Sequence, residues 1–292
     1  MLENSKIDFM KMHKIAFASS VVVILLSIFL IFTKGLNFGI DFSGGILIEA
    51  RLSEKPDVAQ LRKILDPKTK DAQIQSIGQQ DILIRVAKTD DGQAKIVKTI
   101  QETLNKNYPD ITYRKVDYVG PQIGSELIKK GFLALFISFF FILIYIWVRF
   151  DWQFGVGSII ALLHDAIITF GFFSLTNIEF NTTSIAAILT IIGYSINDSV
   201  VIYDRIRENA RRFKKVDLKD IINSSLNSTL SRTILTSGVT LFSLLALILF
   251  GGKVLFSFAL ATFVGVAIGT YSSIYIAAPM LLYFKFRQDK ED

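Results

Sequence analysis

Six long apolar runs, at residues 15–32, 131–148, 154–175, 185–203, 234–250 and 254–284, constrain this chain more than any other feature. A helix needs about 20 residues to cross a hydrocarbon core ~30 Å thick. Backbone placed in lipid must also satisfy its own hydrogen bonds, which a helix does. Each run has the length for this, and the last is long enough to require tilt or an interfacial first turn. The chain is 51% hydrophobic, a total that soluble domains also approach. The segregation into runs decides the matter, and the expected fold is a polytopic α-helical membrane protein with six transmembrane helices. The first run follows Lys6, Lys11 and Lys14 but lacks a small-x-small cleavage site, so it reads as a retained anchor rather than a signal peptide.

Lysine and arginine in the short loops set the orientation. The N-terminal tail (1–14) is basic, "VRFDWQF" carries Arg149, and seven basic residues lie between Arg205 and Lys219. Lys285, Arg287 and Lys290 follow the last run, whereas "TNIEFNTT" has no basic residue and "GGK" has one. The expected topology therefore has both termini and a loop at about 204–233 in the cytoplasm, with residues 33–130 outside and 285–292 as a cytoplasmic tail. The net charge of +6 maps mostly to membrane ends, where topology and anionic membrane lipids account for it, so nucleic acid is not an expected partner. With no cysteine, a disulfide framework, a thiolate metal site and a thiol nucleophile are excluded.

Between the first two runs the hydrophobic period changes. "GILIEARL" alternates, with Ile46, Ile48, Ala50 and Leu52 on one face and Glu49 and Arg51 on the other. "DVAQLRKIL" and "DGQAKIVKTIQETLNKN" have helical spacing, while "AQIQSIG", "DILIRVAK" and "DITYRKVDYVG" read as strands. The order βαββαβ predicts a ferredoxin-like extracytoplasmic domain, two helices on one face of an antiparallel sheet. That fold names no function. The two histidines, His13 and His164, lie outside this region, and no serine has an evident base, so a binding or docking module is expected rather than an enzyme. No catalytic residue, metal or cofactor is predicted. "NFGIDFSGG" joins the first helix to this domain as a hinge motif, with Gly39, Gly44 and Gly45 suited to a tight turn and Asp41 and Ser43 to local capping. As a phosphate cradle it lacks the P-loop lysine and the following helix.

Three runs carry polar groups at depth. His164 and Asp165 lie about ten residues into the third, ~15 Å from its start and near the midplane. In the fourth, Thr190, Tyr194 and Asp198 follow at helical steps, with Asn197 beside the acid and Gly193 as a place of close helix approach. A charge at the bilayer centre costs at least ~2.5 to 3.5 kcal/mol, so Asp198 needs compensation. Ser225, Thr229, Arg232, Thr236, Thr240 and Ser243 form a polar stripe through the fifth run, and Arg232 either meets Asp198 or reaches the interface. Gly265 and Gly269 form a GxxxG packing motif in the sixth. "DLKDIINSSL" reads as an amphipathic helix on the cytoplasmic surface. Asp198 admits two readings: a structural polar contact, or a proton-coupling acid whose charge follows its surroundings.

"NFGIDFSGG", "LLHDAIITFGFF", "GYSINDSVVIYDRIREN" and "SRTILTSGVT", in this order, resemble the SecF branch of the SecD/SecF protein-export family, within the resistance-nodulation-division superfamily. The resemblance covers nearly the whole chain. It implies an accessory subunit of the Sec translocase that pairs with SecD, joins the SecYEG channel and uses the proton-motive force to promote late stages of export of an unfolded polypeptide across the bacterial cytoplasmic (inner) membrane. It carries a proton-coupling role onto Asp198 of the "ND" motif, with Asn197, and onto Arg232 of "SRT". His164, Asp165, Tyr194 and Thr236 are a possible polar relay or helix contact. The rival expectations are a scaffold subunit that moves no protons and half of a proton-coupled small-molecule exporter.

Overall fold

The computed structural model describes residues 7–65, 67, 69, 72–77, 79–86, 93–284 and 286. Lys6, Lys285, Arg287 and Lys290, the end of "DILIRVAK" and the first residues of "DGQAKIVK" lie outside the described residues. The chain forms two compact units, Phe38–Phe132 and a helical unit built from the rest.

Among the described residues six helices are long and apolar enough to cross a membrane: Phe9–Lys34, Ile123–Arg149, Trp152–Thr176, Thr182–Arg212, Leu218–Phe250 and Leu255–Tyr283. The first is α1 (Phe9–Lys34), and the second is part of α5 (Pro121–Arg149). The next three are α6 (Trp152–Thr176), α7 (Thr182–Arg212) and α8 (Leu218–Phe250). The last consists of α9 (Gly252–Ser272), a π-helical turn (Ser273–Ala277) and α10 (Ala278–Tyr283). Pro279 cannot donate to the carbonyl one turn before it, and the widened turn lies at the place where that donor is missing. Asn177 in the left-handed region (φ 57°) ends α6, and a reciprocal Asn181–Ser184 capping box starts α7, giving a tight reversal.

The helices run past the apolar runs because polar residues continue their buried faces. This corrects the separate surface helix expected at "DLKDIINSSL". That segment is the first part of the unbroken α8, and Ile221, Ile222 and Leu226 are buried in one cluster with Phe9, Met10, Ile202 and Ile206. Asn223 Oδ1 accepts from the Phe9 and Met10 amides, and Asn227 exchanges two hydrogen bonds with the Ile7 backbone. These side chains thereby satisfy amide groups that the start of α1 leaves orphaned. Burial is uneven: α5 exposes Phe136, Phe140, Phe141 and Trp147, and α8 exposes Leu235, Val239 and Phe242. In a bilayer such faces meet lipid or another helix.

The other unit opens with a helical turn that the sequence did not predict, α2 (Ile40–Ser43), and then has the predicted order: β1 (Gly45–Arg51), α3 (Val58–Leu65), β2 (Gln73–Ile77), β3 (Asp81–Val86), α4 (Gln93–Asn107) and β4 (Thr112–Val119). The sheet runs β2-β3-β1-β4 with every neighbour antiparallel. Ile46, Ile48 and Ala50 of β1 and Ile82 and Ile84 of β3 face Leu61 and Leu65 of α3 and Ile100 and Leu104 of α4. The opposite face bears Leu47 and Leu83, and Ile40 covers them. The glycine-rich hinge motif is therefore a lid on the sheet. Gly39 starts its single helical turn, and Gly44 (φ 71°, ψ 169°) and Gly45 (φ 122°) turn the chain into β1. Beside it Lys115 bonds Asp117 (2.5 Å), and this bond, with Asp41 and Glu49 nearby, raises the lysine above its ordinary pKa.

Gly44 occupies a backbone region that is essentially glycine-only, so a side chain there costs roughly 1–3 kcal/mol. Gly44→Ala is expected to increase amide hydrogen exchange in β1 about five-fold or more. Gly35→Ala has open space at the side chain and is the control, since any general effect of glycine replacement at positive φ appears there without the sheet.

Candidate functional site

α7 and α9 pack closely at the centre of the helical unit. A Cβ on Gly265 would run into the Ile191 side chain, and one on Gly269 would come within 3.1 Å of Ser195 Cβ. Gly193 is different. It is exposed and has nothing within 4 Å of its missing Cβ, so among the described residues no helix uses it for close approach. The expectation at Gly193 is thus corrected within the chain, and the difference is testable. Gly265→Ala is expected to lower stability in detergent by about 1–3 kcal/mol through overpacking. Gly193→Ala should be neutral or mildly stabilising, as at an open helix position.

Two carboxylates lie beside this α7–α9 pair, Asp165 on α6 and Asp198 on α7 itself. Asp165 of α6 is fully buried (0% exposed). Its Oδ1 pairs with His164 Nδ1 at 2.8 Å, and its Oδ2 accepts from Ser195 Oγ of α7 (2.5 Å) and Ser272 Oγ of α9 (2.8 Å). The His164 ring stacks on Tyr271, whose hydroxyl donates to the Ala16 carbonyl and pairs with Ser20 on α1. This one acid therefore ties three helices together directly, and its histidine neighbour extends the contact to α1. Each buried lone pair with a donor avoids a desolvation penalty of ~1–3 kcal/mol. His164 Nε2 is buried without a protein partner.

Asp198 of α7 is 4% exposed and far less well held. Ser237 of α8 faces its carboxyl and Arg232 acts on it electrostatically, yet no well-aligned hydrogen bond reaches Oδ2, which is buried and unpartnered. Arg232 is exposed, and among the described residues no direct ion pair joins it to Asp198. Asn197 is exposed on α7, because consecutive helical residues point about 100° apart. Tyr194 OH donates to Ser237 Oγ (3.2 Å), which also pairs with Thr270 Oγ1 of α9 (2.7 Å).

The polar stripe read along the fifth run is not the buried face beyond Thr229. Burial passes through Ser225, Thr229, Thr233 and Ser237, at steps of four. Thr236, Thr240 and Ser243 instead donate to carbonyls of their own helix, as does the exposed Thr190 of α7. A hydroxyl that bonds back along its own helix is not free to reach across. Ser195, Ser237, Thr270, Tyr271 and Ser272 thus escaped the sequence reading. Their signal was the glycine pair in "GVAIGTYSS", since hydroxyls beside a close helix contact are the ones placed to cross it. Among the described residues no group of three metal-ligating side chains comes together.

A family model described as protein export membrane protein SecD/SecF, C-terminal, matches residues 99–287, and one described as the SecD/SecF GG motif matches residues 29–55. A protein translocase subunit SecF from Rickettsia bellii is 50% identical over 281 residues, covering 95% of this chain and 93% of the relative. The SecF of Rickettsia felis is 48% identical over 285 residues, covering 96% and 92%. The crystal structure of SecDF, a translocon-associated membrane protein from Thermus thermophilus, is similar with a TM-score of 0.90 and 38% identity over 98% of this chain. This chain spans 40% of that SecDF chain. A second SecDF structure, described as the super-membrane-facing form, gives a TM-score of 0.74 over the same shares.

Proposed function

Because this chain belongs to the SecD/SecF family of protein-export membrane proteins, we propose that it works with SecD as an accessory subunit of the Sec translocase, using the proton-motive force to promote late stages of export. The observation that carries this reading is Asp198, an acid 4% exposed within a membrane-spanning helix, with one carboxyl oxygen unpartnered and Arg232 acting on it without an ion pair among the described residues. A purely structural acid is expected to look like Asp165, with each oxygen taken. Asp198 instead has room to change partners. Arg232 supplies a counter-charge that can approach or withdraw, and Tyr194 and Ser237 supply hydroxyls at the carboxyl's side. One charge crossing 100 mV of potential yields ~2.3 kcal/mol, enough to bias a helix rearrangement.

In this account the chain sits in the cytoplasmic membrane with both termini inside, and residues 33–130 outside, where they meet the emerging polypeptide. SecD takes some of the exposed apolar helix faces, SecYEG supplies the channel, and lipid covers the remainder. The chain transduces energy and makes no covalent change, so it is not an enzyme. Inverted vesicles containing SecD and SecYEG, with and without this chain, test the reading. The chain should add an increment of completed export that vanishes when an uncoupler collapses the gradient. Equal completion with and without the chain contradicts it.

A further inference from the structure

The hydroxyls beside Asp198 have one proton fewer than their acceptors require when the acid is charged. Ser225, Thr229, Thr236, Thr240 and Ser243 of α8 all donate to carbonyls of their own helix. Ser237 bonds outward instead. It accepts from the OH of Tyr194, which lies one turn before Asp198 on α7, pairs with Thr270 Oγ1 at 2.7 Å and acts on the Asp198 carboxyl. Thr270 Oγ1 in turn donates to the Val266 carbonyl at 2.9 Å. A hydroxyl has one proton to give, and an ionised carboxylate has none. With the Thr270 proton on Val266, the 2.7 Å contact requires Ser237 to donate to Thr270. No second proton is then left on Ser237 for the acid, whose Oδ2 is buried without a partner.

We propose that Ser237 and Thr270 form a hydroxyl switch whose direction is set by the protonation of Asp198, so that α8 reports the state of the acid to α9. This rests on the proton-coupling reading above. With the acid neutral, its own O–H donates to Ser237, Ser237 to Thr270 and Thr270 to Val266, and every donor and acceptor is served. With the acid charged, Ser237 turns to Asp198 and Thr270 turns to Ser237. The Val266 carbonyl then keeps only its helical N–H partner. Among the described residues, the titratable groups facing this cluster are Arg232 of α8, which acts on Asp198, and Tyr194 of its own helix, which bonds Ser237, whereas Tyr271 of α9 is turned toward His164 and α1. Two residues beyond Thr270, Ser272 donates to Asp165, so reorientation on one side of α9 loads the contact on the other. Ser237 acts through Asp198 and is a positioning residue.

The test is infrared difference spectroscopy on the chain reconstituted with SecD, with vesicle export measured in parallel. The Asp198 carboxyl band is the one lost in Asp198→Asn. Ser237→Ala is expected to move that band to higher wavenumber, as for an acid that has lost its acceptor, and to reduce the gradient-dependent export increment about five-fold, as for one lost neutral hydrogen bond. Ser237→Thr should restore both. Thr270→Val, which removes the hydroxyl at nearly constant volume, should keep the band and lose the same increment, and it serves if Ser237→Ala fails to assemble. An unmoved band with full export in Ser237→Ala overturns the switch alone, and full export in Thr270→Val does so too. A full increment in Asp198→Asn removes the proton reading itself.

Discussion

Asp165→Ala should destabilise the helical unit by about 2–5 kcal/mol, read as an earlier midpoint in denaturing-detergent titration and reduced recovery of the SecD complex. The carboxyl accepts from His164, Ser195 and Ser272, and all three donors lose their acceptor at once. A buried group left unsatisfied costs ~1–3 kcal/mol. Hydrogen bonds between membrane helices average only ~0.6 kcal/mol in double-mutant cycles, because the reference state finds other partners. The expected total lies between these limits and includes a cavity in a site with no solvent access. Asp165→Asn should cost less than half as much. Asparagine keeps an oxygen for Ser195 and Ser272, and its amide can donate to His164 Nδ1 once the imidazole takes the other tautomer. If Ala and Asn cost the same, the hydrogen bonds are not what holds these helices.

The apolar runs and the change of period after the first of them made both units legible in the sequence. The alternation of Ile46, Ile48 and Ala50 named the face of β1 that meets its helices, and the observed core uses those residues. Side-chain periodicity works there because each element buries one face against a single neighbour. It failed along α8. The spacing of Ser225, Thr229, Arg232 and Thr236 keeps a steady helical phase, but the buried face drifts around the helix as its neighbours change, from α1 and α7 near Asn223 to α9 near Ser237. A composition of serines and threonines does not say which hydroxyl bonds back to its own carbonyl. Asp165 and Asp198 were equally visible as membrane acids. What separates them is the number of donors each receives, and those donors come from helices far apart in sequence. The hinge motif gave its turn through Gly44 and Gly45, while its second task, seating Ile40 on Leu47 and Leu83, depends on a sheet face that a linear reading leaves open.

Asp198→Asn should abolish the gradient-dependent part of export while leaving assembly intact. The substitution is close to isosteric and removes the ability to change charge. The carboxyl has no aligned hydrogen bond at Oδ2 to lose, so the structural cost is expected to stay below about 1 kcal/mol. The effect on coupling should be complete, because no charge is left to follow the gradient at that position. This is the opposite pattern to Asp165→Ala, where assembly fails first. The most direct measurement is therefore gradient-dependent completion of export in inverted vesicles containing this chain, SecD and SecYEG, comparing wild type with Asp198→Asn at equal complex recovery by pull-down. The account predicts that the mutant keeps gradient-independent export and loses the remainder. Full gradient-dependent export by an equally assembled Asp198→Asn complex would contradict it and leave Asp198 as a helix contact.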